Sequence, residues 1–232
     1  MASPDPVVAV DGPSGSGKGT LSAALARRLG WHFLDSGALY RIVARAALRA
    51  GTPLEDGPAL ASLAAGLDIR FELAPDDVVV RVDGRDESTA IRMETVGVAA
   101  SKVAALPELR AALLGVQRAF RAKPGLVADG RDMGTVVFPD ARLKIFLEAS
   151  AEARALRRYN QLKDKDLGVS LPGLLASIRE RDERDRSRAA SPLRPAADAV
   201  VIDSTSLSID AVFEVVWKLV IDAGLAGPPA RR

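Results

Sequence analysis

An α/β three-layer domain built around a five-stranded parallel sheet is what this 232-residue chain predicts, and three observations carry that prediction. Short apolar, β-branched runs recur along the chain, each followed by a segment of helical periodicity. Those runs are apolar on both alternating faces, as strands covered from both sides must be. A glycine-rich loop joins the first run to the first helical stripe, the place where open parallel sheets put their phosphate sites.

Val7–Asp11 (VVAVD) is the first strand. Leu21, Ala24, Leu25 and Leu29 then recur at helical spacing and form one stripe. His32–Asp35 (HFLD) is a weaker second strand, followed by Leu39, Ile42, Val43, Ala46 and Ala47 on one helical face. Asp68–Leu73 alternates polar and apolar residues, and Val78–Val82 is β-branched and followed by the turn pair Asp83-Gly84, so a small antiparallel sheet is expected to interrupt the α/β rhythm. Leu109, Leu113, Val116 and Phe120 give another helix. Leu126–Asp129 (LVAD), Leu143–Leu147 (LKIFL) and Ala199–Asp203 (AVVID) complete the five strands. The stretch from Arg154 to Arg194 is unusually charged, and Met1–Pro6 and Gly227–Arg232 read as frayed ends.

Composition removes several chemistries. The chain is 48% apolar with a net charge of +2, too apolar and too weakly charged for general disorder. Absence of cysteine excludes a disulfide scaffold, a thiol nucleophile and thiolate metal sites, and a lone histidine, His32, excludes a multi-histidine zinc centre. His32 lies beside Trp31, away from every motif, and reads as structural. With 32 cations against 30 anions there is no large field for nucleic acid or a membrane surface. No run reaches the length of a membrane span, and the N-terminal MASPDPVVAV lacks the basic region of a signal peptide, so a cytoplasmic protein is expected.

The most specific motif is GPSGSGKGT: Gly12, Pro13, Ser14, Gly15, Ser16, Gly17, Lys18, Gly19 and Thr20. It fits G-x-x-x-x-G-K through Gly12, Gly17 and Lys18. Glycines let the backbone curl its N–H groups around a polyphosphate, the following helix aims its positive end at the same anion, and Lys18 reaches the β and γ phosphates. The general motif continues with Ser or Thr to hold Mg²⁺, whereas Gly19 stands here. The ion is therefore expected to be held mainly by phosphates and water. Asp129, ending a strand, is the candidate carboxylate near the metal, with capping of the next turn as the equal alternative.

The loop alone leaves the reaction open. No N-K-x-D run for guanine is present, and no further motor signature appears, which leaves a small kinase or a non-catalytic nucleotide sensor. Arginine placement bears on the acceptor: Arg41 follows Ser36 in DSGALYR, Arg131 and Asp132 follow Asp129 in DGRDMG, and Arg181, Asp185 and Arg188 share a helical face. Guanidinium groups match phosphate oxygens two at a time. The plainer alternative for that face is a set of surface pairs, Glu180–Arg184, Asp182–Arg186 and Arg181–Asp185, with Arg45, Arg49, Arg154 and Arg158 solvated.

At these residues the chain resembles the bacterial cytidylate kinases, a family of nucleoside-monophosphate kinases. The similarity runs from residue 6 to 222 and rests on GPSGSGKGT (12–20), LDSGALYR (34–41), ASKVAALPELR (100–110), ADGRDMGTVVFPDA (128–141) and RERDERDRSRAASPL (179–193). It implies ATP + CMP ⇌ ADP + CDP, with dCMP as second acceptor and Mg²⁺ required, in a monomer without nucleic-acid or membrane partners. It implies a P-loop kinase fold: a core of 1–35, 107–150 and 195–232, an acceptor-binding segment 36–106 with an insert near 68–88, and a short helical lid within 151–194. Carried over by motif, Ser36, Arg41, Arg131 and Arg188 hold the CMP phosphate, Ser101, Arg110 and Asp132 read cytosine, and Arg181 and Asp185 face the sugar–phosphate. Lys18, Arg131 and Arg188 are the expected catalytic groups. A sister kinase with another acceptor, or a silent nucleotide-binding regulator, is the alternative.

Overall fold

The computed structural model describes residues 4–75, 77–162, 170–188 and 190–226. Along the chain, β1 (Val7–Asp11) runs into α1 (Lys18–Leu29), β2 (His32–Asp35) and α2 (Ser36–Ala50). After α3 (Gly57–Ala65) come β3 (Ile69–Leu73), β4 (Val78–Val82) and β5 (Arg85–Asp86). Then α4 (Glu94–Val103) and α5 (Pro107–Ala119) lead to β6 (Leu126–Gly130) and β7 (Leu143–Glu148). The chain continues through α6 (Ala151–Leu162), α7 (Leu171–Ser187), β8 (Val200–Asp203) and α8 (Ile209–Asp222).

All five expected strands pair in parallel, in the order β2-β6-β1-β7-β8. Every residue of β1 and β6 is buried, which is why those segments read as unbroken apolar runs. β8 lies at an edge and exposes Val200 and Val201. Register sets the chemistry of the sheet's C-terminal rim: Asp129 stands beside Asp35 on one side and Val10 on the other, and Asp11 stands beside Gly130. Three carboxylates thus converge where the β–α loops leave the sheet, the position at which such sheets bind ligands.

Helix ends follow local chemistry. Asp35 caps α2, its carboxylate accepting from Ala38 N at 2.9 Å, and Ser208 caps α8, its hydroxyl accepting from Ala211 N at 3.1 Å. No side chain caps the start of α1, where Gly17 sits at φ 97°. Its first N–H groups therefore face the glycine-rich loop.

The antiparallel insert is present as expected, with Leu73 opposite Val78 and Ile69 opposite Val82. Asp83 and Gly84 both take positive φ (50° and 77°), the mirror-image turn that matches strand twist. β5 adds a short third strand that periodicity had not signalled, two residues being too few to alternate. α6 and α7 form their own small apolar cluster, Ala155, Leu162 and Leu174 flanked by Tyr159, Leu175 and Ile178, separate from the main core. The expected lid stretch 151–194 includes residues 163–169 and 189, which lie outside the described residues, as do most of the expected frayed ends.

Candidate active site

The glycine-rich loop begins at a residue with no room for a side chain. A Cβ on Gly12 would stand 2.2 Å from the carbonyl oxygen of Leu147 on β7. The loop's own carbonyls are held from outside: Arg154 donates to Ser14 O at 3.1 Å, and Arg157 and Ser204 donate to Ser16 O at 3.2 and 3.1 Å. In a planar trans peptide the next N–H points opposite the carbonyl. Holding those two oxygens outward therefore turns the N–H groups of Gly15 and Gly17 to the other side of the loop.

This corrects the reading of Arg154 as solvated. It is 2% exposed, and its guanidinium also donates to Ala149 O and, at two points, to the carboxylate of Asp182 on α7. Asp182 consequently does not pair with Arg186. Arg45 and Arg49 pair with Glu87, and Arg158 lies 3.5 Å from Glu94, so these cations also have partners. Of the three expected surface pairs on α7, Glu180–Arg184 forms, at 3.6 Å.

Lys18 Nζ donates to Pro13 O at 3.1 Å and lies 3.9 Å from Asp129. Burial pushes the Lys18 amine down to about 8, with Arg131 adding to the effect. Burial likewise pushes Asp129 up to about 7, opposed by Lys18. Gly19 lies against Asp129: a Cβ there would stand 3.1 Å from Asp129 Oδ2, a tight contact that the carboxylate would have to yield to by a few tenths of an ångström. Among the described residues no cluster of three or more acidic or histidine side chains could hold a metal by itself. Such a site fits a magnesium ion bound largely through phosphates and water, with Asp129 as the adjacent carboxylate.

Asp11 braces the neighbouring turn. Its two carboxylate oxygens accept from Met133 N and Gly134 N, both at 2.8 Å, while burial raises it to about 6. The loop base and the turn carrying Arg131 and Asp132 are thereby one unit.

Beside this unit, one cavity gathers eight of the nine expected acceptor residues: Ser36, Ser101, Arg110, Arg131, Asp132, Arg181, Asp185 and Arg188. At one end Arg110 donates to Asp132, over the face of Tyr40 at 5.8 Å, and Ser101 Oγ is buried with no hydrogen-bond partner among the described residues. At the other end Arg131 donates to Asp185 at 2.9 Å, and Arg188 donates to the second oxygen of the same carboxylate. Asp185 is buried, not a member of a surface pair with Arg181. Arg41 does not line the cavity; its guanidinium donates to Ile91 O at 2.8 Å and packs over Gly97.

At Arg41, Arg131, Arg181, Asp185 and Arg188 burial disfavours the charge, and neighbouring charges outweigh it at two of the five. Asp185 sits below the ordinary carboxylate range because Arg131, Arg188 and Arg181 outweigh its burial. Arg131 is raised because Asp185 outweighs burial there. Arg41, Arg181 and Arg188 are lowered by burial, and Arg181 is lowered further by Arg131. The cluster holds more positive charge than its carboxylate neutralises, and an anion would relieve it.

Sequence reasoning missed Asp11, Arg154, Arg157, Asp182 and Gln117. Of these, Gln117 left a visible trace, an amide at i, i+4, i+8 with Leu109 and Leu113. His32 is structural as expected, its ring bonded to Lys123 O at 2.8 Å.

The family described as cytidylate kinase matches residues 8–222. A cytidylate kinase of Stutzerimonas stutzeri is 59% identical over 229 residues, covering 98% of this chain and 100% of that protein. One of Aeromonas hydrophila is 59% identical over 211 residues, covering 91% and 92%. A crystal structure of an uncharacterized protein from Eubacterium ventriosum superposes with a TM-score of 0.51 at 9% identity, covering 94% of this chain and 99% of that one, which is a likeness of fold alone. With a family match over nearly its whole length and relatives this similar, the chain belongs to the cytidylate kinase family.

Proposed function

We propose that the chain transfers the γ-phosphoryl group of ATP to the phosphate of CMP, giving ADP and CDP, and accepts dCMP as well. The observation that carries the choice of acceptor is the set Ser101, Arg110 and Asp132 at one end of the cavity, the serine and the aspartate buried and the arginine nearly so. Cytosine offers an amino donor at N4 beside acceptors at N3 and O2. Asp132 accepts from N4, while Arg110 and the unpartnered Ser101 hydroxyl donate to N3 and O2. Uracil would set a carbonyl against the carboxylate and an N–H against the guanidinium. Each such buried mismatch costs about 1–3 kcal/mol, so UMP is a far poorer acceptor.

Arg131, Arg188 and Ser36 hold the acceptor phosphate, with Arg181 and Asp185 toward the sugar; Arg41, which donates to Ile91 O outside the cavity, joins them as the acceptor segment closes. The donor's phosphates lie on residues 12–20, with Lys18 at the β and γ groups. No general base is required, because a phosphate monoester with a second pKa of about 6 is already largely dianionic at neutral pH. One of its oxygens attacks the γ-phosphorus as the bond to the β–γ bridging oxygen breaks, and ADP leaves. Lys18, Arg131 and Arg188 offset the charge of the transferring group, and catalysis is positioning plus electrostatics. Asp129 would be the protein group beside a magnesium ion, and the ion would supply further neutralisation of the phosphoryl charge. Core (1–35, 107–150, 195–232), acceptor segment (36–106) and lid (151–194) form one domain, and closure of the lid over bound nucleotides excludes water. The enzyme works as a monomer. No helix among the described residues is long and apolar enough to cross a membrane.

A coupled assay of ADP release with CMP, dCMP, UMP, AMP and GMP in turn tests the reading. Turnover is expected with CMP and dCMP. ATP binding without CDP formation would instead mark a silent regulator, and preference for AMP or GMP a sister kinase.

A further inference from the structure

α5 carries a second polar residue on the flank that bears Arg110. Gln117 follows it by two helical turns and is 2% exposed, on a stripe whose other buried members are Leu109 and Leu113. A primary amide in a leucine position costs free energy unless it is hydrogen-bonded. Its Nε2 donates to Ser36 Oγ at 2.8 Å, a contact between residues 81 positions apart.

The direction of that bond has a consequence. A serine hydroxyl has one proton to give and can accept through its lone pairs. With the Gln117 amide donating into the oxygen, the Ser36 proton is left for a different acceptor. Ser36 is itself buried and lines the cavity together with Arg131 and Arg188. An anion drawn there by the guanidinium groups is the natural recipient. Donation into the oxygen also polarises the hydroxyl and strengthens its own donation.

We propose that Gln117 is a positioning residue for the acceptor phosphate: it fixes Ser36 as a donor, so that α5 serves both ends of the nucleotide, Arg110 at the base and Gln117, through Ser36, at the phosphate. This rests on the reading that Ser36 contacts the phosphate of CMP.

Steady-state kinetics and calorimetric binding of CMP and cytidine test it in Ser36→Ala, Gln117→Met and the double variant. Each single variant is expected to lower kcat/KM for CMP about tenfold, the low end for a hydrogen bond to a charged group. KM for ATP and affinity for cytidine, which lacks the phosphate, should stay within about twofold, since neither ligand meets Ser36 as a phosphate acceptor. The double variant should be no worse than Ser36→Ala, because the amide acts only through the hydroxyl. Gln117→Glu, which keeps the shape but accepts the hydroxyl proton, should fall below Ser36→Ala; it carries the test by itself if Gln117→Met does not fold. Multiplying effects in the double variant, an equal rise in KM for ATP, a cytidine affinity that falls with that of CMP, a Ser36→Ala variant indistinguishable from the parent, or a Gln117→Glu variant as active as the parent would each overturn the inference. Failure of the parent enzyme to form CDP is a separate result, and would bring down the functional reading along with this one.

Discussion

Arg131 Nε donates to Asp185 Oδ2 at 2.9 Å, tying the residue after β6 to α7 across 54 positions. That carboxylate is 1% exposed and also accepts from Arg188. It is the counter-charge that lets several guanidinium groups share one cavity before any phosphate arrives. Asp185→Asn keeps the shape and removes the charge. We expect unfolding stability to drop by about 3–5 kcal/mol, the usual result of stranding buried cations. Inorganic phosphate should then raise the melting temperature of the variant more than that of the parent. Equal responses in the two proteins would refute the counter-charge role.

Asp132 faces Arg110 where the base is read. Asp132→Ala should narrow the CMP-over-UMP ratio of kcat/KM by about 10- to 100-fold, the worth of one buried polar mismatch. An unchanged ratio removes Asp132 from base recognition.

Lys18→Ala should abolish phosphoryl transfer while the circular-dichroism spectrum stays that of the parent, because its target is a ligand. In the parent, burial sets the Lys18 amine at about 8. The free enzyme therefore loses this charge as pH rises through 8, and kcat/KM for ATP should fall about tenfold per pH unit above it. Stability moves the opposite way. The folded value lies below the ordinary lysine value of 10.5, so the cost of burying the charge is full below pH 8. That cost is relieved between pH 8 and 10.5, and Lys18 makes folding more favourable across that window. A profile of kcat/KM for ATP that stays level to pH 9.5 would contradict the shift.

Arg154 joins the donor loop to α7 through Ser14 O and Asp182. Arg154→Met should cost about 3–5 kcal/mol in urea unfolding, because Asp182 is left buried and alone. Adding Asp182→Leu should recover most of that stability, as apolar pairs of similar volume commonly do. KM for ATP should stay raised in the double variant, since nothing then holds the Ser14 carbonyl outward. Recovery of KM together with stability would mean that the contact to the loop is unimportant.

Much of the architecture was legible because it depends on local pattern. Unbroken apolar runs specify doubly covered strands wherever they fall, and β1, β6, β7 and β8 lie within a residue of the runs that announced them. Asp83-Gly84 specified its own turn, since few other residue pairs tolerate two positive φ values. The loop at 12–20 was equally plain, because glycine spacing and a lysine are constraints on the backbone itself.

The charged residues of α6 and α7 show where local reading stops. Written as a string, Arg154, Arg181, Asp182 and Asp185 are cations and anions at helical spacing, and surface pairing accounts for them as well as a binding site does. Spacing within a helix says which residues share a face, never what that face meets. The fold decides that: packing of α7 against α6 takes Asp182 to Arg154, and Arg131, just past the end of β6, meets Asp185, both carboxylates out of water. By itself the sequence determined the five parallel strands, the phosphate loop and eight of the polar residues that line the cavity. Only the tertiary structure decided which charges are buried together, because burial and long-range pairing are properties of surfaces brought into contact and are absent from either surface alone.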